Sequence, residues 1–383
     1  MKQAIETWVD QHAADLEKLY EHLHILAEIS WQEVNTTAFL QHTLNEMNVP
    51  NQIYEEHTGI VAEWLGTSPL EGRIIAVRAD MDALWQNVDG VWKANHSCGH
   101  DAHMTMVLSA LKCLKGIGFQ PAGKLIVIFQ PAEETGEGAK KMLELGVLDE
   151  VEHLLGIHLR PLKELEFGKA SSAIRHGAAV FMEGKVTGRQ AHASRPNDGI
   201  NVIDALAAIV NAVNAVKVDP TVPASCKVTR MNVENSSVNI IPDLGEFSID
   251  IRAQTNEAME EMLKKVEAAV GHAAIANGAT LEGAIGARMV AAVPNEYLEG
   301  LVGAAIKEIL GDAGLVSPPV TPGGEDFHFY PLLKPDLNAT MIGLGSGLVP
   351  GLHHPQMSFN LEALQIGTKI IALSIIKLFD QAD

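Results

Sequence analysis

Gly72-Arg-Ile-Ile-Ala-Val-Arg-Ala-Asp80 is a compact apolar run of β type that ends in charge. The pattern returns at Lys124-Leu-Ile-Val-Ile-Phe-Gln130 and, shorter, at Leu154-Leu-Gly-Ile157. Between the first two runs, Met104, Val107, Leu108, Leu111 and Leu114 recur at helical spacing and predict a helix over about 102–116. Helical periodicity also fills about 2–30 and 36–47. Near-continuous apolar strands alternating with helices predict an α/β domain, a mainly parallel sheet with helices on both faces. Ligand groups in such sheets gather just past the carboxyl ends of the strands. Polar residues follow all three runs at once: Arg78-Ala-Asp80, Gln130-Pro-Ala-Glu-Glu134 and His158.

The texture changes near residue 178. Residues 180–186 alternate as a half-exposed strand, and 199–216 read as an Ala-rich helix. Two further alternating strands, at 226–234 and 245–252, precede an amphipathic helix marked by Met259, Leu263, Val266 and Val270. A βαββα(β) order over about 110 residues predicts a small α+β module, ferredoxin-like in outline. The α/β texture resumes near 290, with a helix at 296–310 and a last one from about 360. The expected division is one α/β domain at 1–177 and 289–383, interrupted by a module at 178–288.

Charge narrows the function. The 383 residues carry 28 basic and 48 acidic side chains, a formal net charge of 28 − 48 = −20. Such a chain repels phosphate backbones and anionic leaflets, so neither a nucleic acid nor a membrane is expected as a partner. Three widely spaced cysteines, Cys98, Cys113 and Cys226, make no complete disulfide framework and suit a reducing compartment. The N-terminal stripe of Ile5, Trp8, Val9, Leu16, Leu19 and Leu23 reads as an amphipathic helix, not a leader. A soluble cytoplasmic enzyme is the expectation.

Cys98-Gly-His100 places two potential metal ligands around a glycine at the entrance of a predicted helix. Gly99 lets the chain bend so that thiolate and imidazole converge. In isolation, a buried thiol beside a capping segment is the better reading of that triplet. For His103, one turn on, a supporting role outranks ligation. Glu133 and Glu134 sit behind a strand-stopping proline, where two ionised carboxylates repel and so favour different jobs. One can bind metal while the other takes protons, the division that hydrolysis needs. His158 ends an apolar strand, and His353-His354 lies in a Gly/Pro-rich loop where at most one side chain serves as ligand.

The order of these groups resembles the M20 metallopeptidase family, closest to its amidohydrolase branch of N-acyl-amino-acid, hippurate and auxin-conjugate hydrolases. Arg78-Ala-Asp-Met-Asp-Ala-Leu84, Cys98-Gly-His-Asp-Ala-His103, Gln130-Pro-Ala-Glu-Glu134, Gly156-Ile-His-Leu159 and Gly324-Glu-Asp-Phe327 carry the resemblance. His192-Ala-Ser-Arg-Pro196 and Asn239-Ile-Ile-Pro242 extend it into the inserted module. The resemblance implies two divalent metal ions (zinc, manganese, cobalt or nickel) held by Cys98, His100, Glu134, His158 and His353. It implies Glu133 as general base, with Asp80 as a supporting group of the catalytic set. It also implies a lid and dimerisation role for the module, with His192, Asn239, Arg252 and Gly324 on the substrate side. A homodimer through that module is the expected assembly. Three departures from the family pattern, Trp85-Gln86 after Leu84, Asn95-His-Ser97 before Cys98, and Asn197 after Pro196, bear on the substrate and remove no ligand.

The resulting expectation is hydrolysis of the amide bond of an N-acyl amino acid or related conjugate by a metal-activated water. Two readings compete. A dipeptidase or aminopeptidase on the same scaffold needs an acidic group for the substrate ammonium, and no extra acidic motif near the ligands demands one. A non-catalytic metal- or ligand-binding relative has no reason to keep all five ligands together with Glu133.

Overall fold

A computed structural model of the chain describes residues 1–68, 72–235 and 237–381. It forms two compact units, one of Met1–Ile174, Val293–Pro319 and Asp326–Asp383, the other of Arg175–Ala292 with Val320–Glu325. The second unit therefore starts slightly before and ends slightly after the expected 178–288, and it takes in a short later segment that contains Gly324.

The first unit is built on an eight-stranded sheet. Along the sheet the strands run Asn51–Ile53, Ile60–Leu65, Gly123–Gln130, Arg73–Asp80, His153–Pro161, Asn338–Leu348, Ala170–Ser171 and Leu315–Val316. The four long central strands are mutually parallel. Their flanking neighbours Ile60–Leu65 and Ala170–Ser171 pair with them antiparallel. Ile75, Val77 and Ala79 join one core with Val107 and Leu111 of helix His100–Gly116 and Ile371 and Ile375 of helix Glu362–Phe379. Each such aliphatic side chain contributes roughly 1.5–3 kcal/mol by leaving water. Arg78 points to the opposite face. There the short helices Gly138–Glu144 and Phe329–Leu333 supply Ala139 and Tyr330 to its buried polar surroundings. The sheet thus has helices on both faces.

The second unit has strand Ala178–Thr187, helix Val202–Ala215, strands Ala224–Asn232 and Leu244–Ala253, helix Asn256–Ala276 and strand Thr280–Met289. Its antiparallel sheet places the second strand first, then the third, the first and the fourth, which is the ferredoxin-like arrangement. Both helices start at a side-chain cap: Asn201 accepts from Ile203 N–H and Thr255 from Ala258 N–H.

Three local features depart from the sequence reading. The long N-terminal helix breaks at His12 into Lys2–Gln11 and Ala13–Ile25, because the His12 ring stacks on Trp8 and its Nδ1 binds the Trp8 carbonyl. A hairpin, Leu84–Val88 with Val91–Asn95, follows the motif strand. The strand bearing His158 runs on to Pro161, so this histidine lies within the ladder, opposite Gly343.

Gly138 begins its helix so close to the preceding turn that a Cβ would lie 1.8 Å from the Pro131 carbonyl oxygen. Gly138→Ala is expected to lower unfolding stability by about 1–3 kcal/mol, the usual cost of forcing atoms into a packed site. Denaturant titration of the full chain measures it.

Candidate metal centre

The expected metal-binding side chains of the first unit gather toward the carboxyl ends of the central parallel strands, the crevice that such sheets use for ligands. Gly99 adopts φ +90° at the start of helix His100–Gly116 and turns the Cys98 and His100 side chains into one space. Cys98 Sγ lies 3.6 Å from His158 Nε2. Donor atoms of Cys98, His100 and His158 all fall within 4.8 Å of one another, as do those of Cys98, Glu134 and His353. The five expected ligands are therefore brought together in two sets that share Cys98.

The imidazoles are oriented to bind a cation. His100 Nδ1 donates to the Asp82 carbonyl at 2.9 Å, and His158 Nδ1 to the Leu159 carbonyl at 2.6 Å. Each ring thereby keeps its Nε2 lone pair for the shared space. His100 Nε2 and Glu134 Oε1 are both buried with no hydrogen-bond partner, an arrangement that otherwise costs a kcal/mol or more per atom. Thiolate, imidazole and carboxylate together suit a divalent transition metal.

Electrostatics agree. Burial alone would depress His100, yet Asp80 and then Cys98 raise its pKa well above the usual value. His353 is pushed up to about 10 by its neighbours Cys98 and Glu134, the latter's Oε1 lying 3.4 Å from its Nε2. Both shifts express a local demand for positive charge, which a divalent ion meets. His158 is the counterpoint: burial, then His103 and Arg160, hold it well below its ordinary value. It stays neutral, as a metal-binding imidazole must.

Around this centre stands a shell of buried carboxylates. Asp80 lies 2.7 Å from His103 Nδ1, 2.5 Å from Arg78 Nη1 and 3.8 Å from His100 Nε2. His103 in turn accepts from Leu159 N–H, so it ties two strands together. Arg78 continues to Asp326 and Gln130. Asp326 N–H reaches Glu133 Oε1 at 3.3 Å, and Glu133 Oε2 stands 3.9 Å from His100 Nε2.

Sequence reasoning passed over Asp82 and Glu33. Asp82 accepts from Glu133 N–H, Glu134 N–H and Ser30 Oγ. It was visible inside the motif that contains Asp80, but nothing marked its partners. Glu33 accepts from Ala132 N–H and Thr58 Oγ1 and braces the turn before Glu133, where Ala132 takes φ +55°. A contact across 99 residues leaves no local signal.

The remaining expected residues belong to the second unit. His192 and Asn239 are exposed and adjacent, because His192 pairs with Ile240. Ser194 N–H donates to His192 Nδ1, which leaves the ring proton on Nε2. Arg252 already pairs with Asp250 at 2.7 Å and lies over the Phe181 ring. Gly324 sits where a Cβ would meet Met289 Cβ at 2.7 Å, so close backbone approach is one reason for glycine there.

A metal-capable centre at the strand ends of an α/β sheet, in a chain that also folds a separate ferredoxin-like unit, defines a class of metal-dependent hydrolase. Residues 76–377 match the sequence profile of Peptidase family M20/M25/M40, and the chain belongs to that family. IAA-amino acid hydrolase ILR1-like 2 of Arabidopsis thaliana is 30% identical over 93% of this chain and 83% of its own. N-acetylcysteine deacetylase of Bacillus subtilis is 29% identical over 93% and 95%. A Bacillus subtilis structure described as a dinuclear metal binding peptidase from the M20 family aligns with TM-score 0.79 and 26% identity, covering 96% of this chain and 98% of that one. No helix among the described residues is long and apolar enough to cross a membrane.

Glu33 gives the centre a pH signature. Burial raises its carboxyl to about 7 from a reference of 4.5. Below 4.5 both folded and unfolded chains hold the proton; between 4.5 and about 7 only the folded chain does. Stability from this group is therefore present at low pH and lost as pH rises through that window. In metal-stripped protein, Glu33→Gln is expected to lose less stability than the parent between pH 5 and 7.5. Denaturant titrations at the two pH values provide the comparison.

Proposed function

We propose that the chain hydrolyses the amide bond of N-acyl amino acids or related amino-acid conjugates, releasing a carboxylic acid and a free amino acid. The convergence of Cys98, His100, Glu134, His158 and His353, with unpartnered Nε2 and Oε1 atoms among them, carries this reading. The likeness to an Arabidopsis IAA-amino acid hydrolase and a Bacillus N-acetylcysteine deacetylase supports the substrate class.

The five side chains would hold two divalent ions, zinc, manganese, cobalt or nickel, whose chemistry is to acidify water and polarise the amide carbonyl. Glu133 takes the proton from the attacking water at its carboxylate and delivers it to the departing amine. Its position next to His100, with Asp326 N–H on Oε1, leaves Oε2 toward the metal-capable space. Asp80 orients His103 and faces His100, so it acts through its neighbours rather than on substrate.

The ferredoxin-like unit serves as lid and dimerisation module in this reading. His192, with its proton on Nε2, is suited to donate to a developing oxyanion. The Asn239 amide can bind a substrate oxygen, and the Arg252 fork, steadied by Asp250, can bind a carboxylate. Gly324 keeps its segment tight against Met289.

Glu133→Ala should abolish turnover of an N-acetyl amino acid while metal content stays at the parent level; activity close to parent would remove Glu133 as the base. Chelator should erase that hydrolysis and added divalent metal restore it, and a matching free dipeptide should be the poorer substrate. Mixing inactive Glu133→Ala with inactive His192→Ala should recover part of the activity if His192 serves the partner's site. No recovery after proven subunit exchange would confine it to its own chain.

A further inference from the structure

His353 differs from the other ligands in how it is held. Its side chain is 53% exposed, whereas Cys98, His100 and His158 are buried. Packing alone therefore cannot fix the ring, and its backbone sits at φ +62°, a region that non-glycine residues disfavour. Hydrogen bonds do the holding instead. Gln86 Nε2 donates to the His353 carbonyl at 2.8 Å, and Asn95 Nδ2 donates both to Gln86 Oε1 at 3.0 Å and to the Pro355 carbonyl at 3.1 Å. His353 N–H donates to the Ser97 carbonyl at 2.7 Å, and Gln356 Nε2 to Asp89 Oδ1 at 3.1 Å. All the partners belong to the hairpin Leu84–Val88/Val91–Asn95, its turn, or the residues just after it.

We propose that this hairpin is a splint for the His353 turn, with Gln86 and Asn95 as positioning residues for one of the two metal ions. The hairpin's register places Gln86 opposite Lys93 and Leu84 opposite Asn95, so Gln86 and Asn95 share one face of the ribbon. Trp85 and Trp92 lie on the other face, exposed. The ribbon uses one side to grip the ligand turn and leaves the other to solvent. Gln86 stands where the family pattern differs, so this grip belongs to the chain's own sequence. The hydrogen bonds fix where the imidazole hangs, and a misplaced imidazole loses metal affinity without unfolding the protein.

The proposal rests on His353 being a metal ligand, and the test separates the two ideas. Co²⁺ is titrated into the metal-stripped full chain and followed by visible absorption, which distinguishes ions by their ligands and reports thiolate coordination. His353→Ala is expected to lose one of two tight equivalents. Gln86→Glu, which keeps shape but offers no N–H, and Asn95→Asp should weaken that same equivalent roughly tenfold or more, leaving the other unchanged. Trp92→Ala, on the outer face, should bind close to parent. If His353→Ala loses an ion but Gln86→Glu and Asn95→Asp bind both normally, the splint is wrong and the ligand assignment stands. If His353→Ala keeps both ions, both ideas fall. Equal weakening of both ions also overturns the splint, since that is the signature of general loosening.

Discussion

One buried carboxylate holds the centre together. Asp82 follows the strand Arg73–Asp80 and accepts from two consecutive main-chain N–H groups, those of Glu133 and Glu134. Its own carbonyl meanwhile accepts from His100, and Ser30 steadies its outer oxygen. The Glu133–Glu134 turn and the head of helix His100–Gly116 are thereby tied to one residue. Burial would favour a neutral Asp82, yet the His100 contact and these donors keep its pKa below the ordinary value. Hydrogen bonds to an ionised acceptor are about twice as strong as neutral ones, so this anchor is stiff where the chemistry needs stiffness. Asp80, two residues earlier, makes the companion link through His103 to the strand that carries His158.

The fold was largely legible because its signals are local. Apolar runs such as 124–130 and helical stripes such as Val107, Leu108 and Leu111 need only neighbours in sequence to be recognised. The ferredoxin-like order of the second unit followed from the same periodicities. Three things were hidden for physical reasons. His12 breaks its helix through a side-chain bond that competes with the backbone, which periodicity does not register. The hairpin after Leu84 carries tryptophans on its solvent face, so it lacks the apolar-in, polar-out alternation of a half-buried strand. Val320–Glu325 joins the second unit through contacts distant in sequence. Among site residues, the clustered Cys98, His100, Glu134, His158 and His353 stood in ordered motifs, whereas Glu33 and the Asp326–Arg78 link depend on partners far along the chain. Arg252 was legible as a cation but not as one already bound to Asp250.

The chain's overall acidity and its centre share a sign, and this shapes the chemistry. Glu133, Glu134, Asp80, Asp82 and Cys98 crowd one strand-end crevice, and the rise of His100 and His353 shows how strongly cations are favoured there. Positive charge, whether carried by protons or by a bound cation, is what relieves the mutual repulsion of those side chains.

The sheet's interleaved order has a consequence for biosynthesis. Strand Asn338–Leu348 lies between His153–Pro161 and Ala170–Ser171, although the whole second unit is translated in between. At about 5–20 residues per second, the ribosome exposes the unfinished sheet edge for roughly ten to thirty seconds before its partner emerges. By the end of that interval the ferredoxin-like sheet has all its strands, whereas the larger sheet does not. His353 emerges later still, beyond that strand. Of the two donor clusters that share Cys98, the one with His100 and His158 is therefore translated long before the one with Glu134 and His353 is complete.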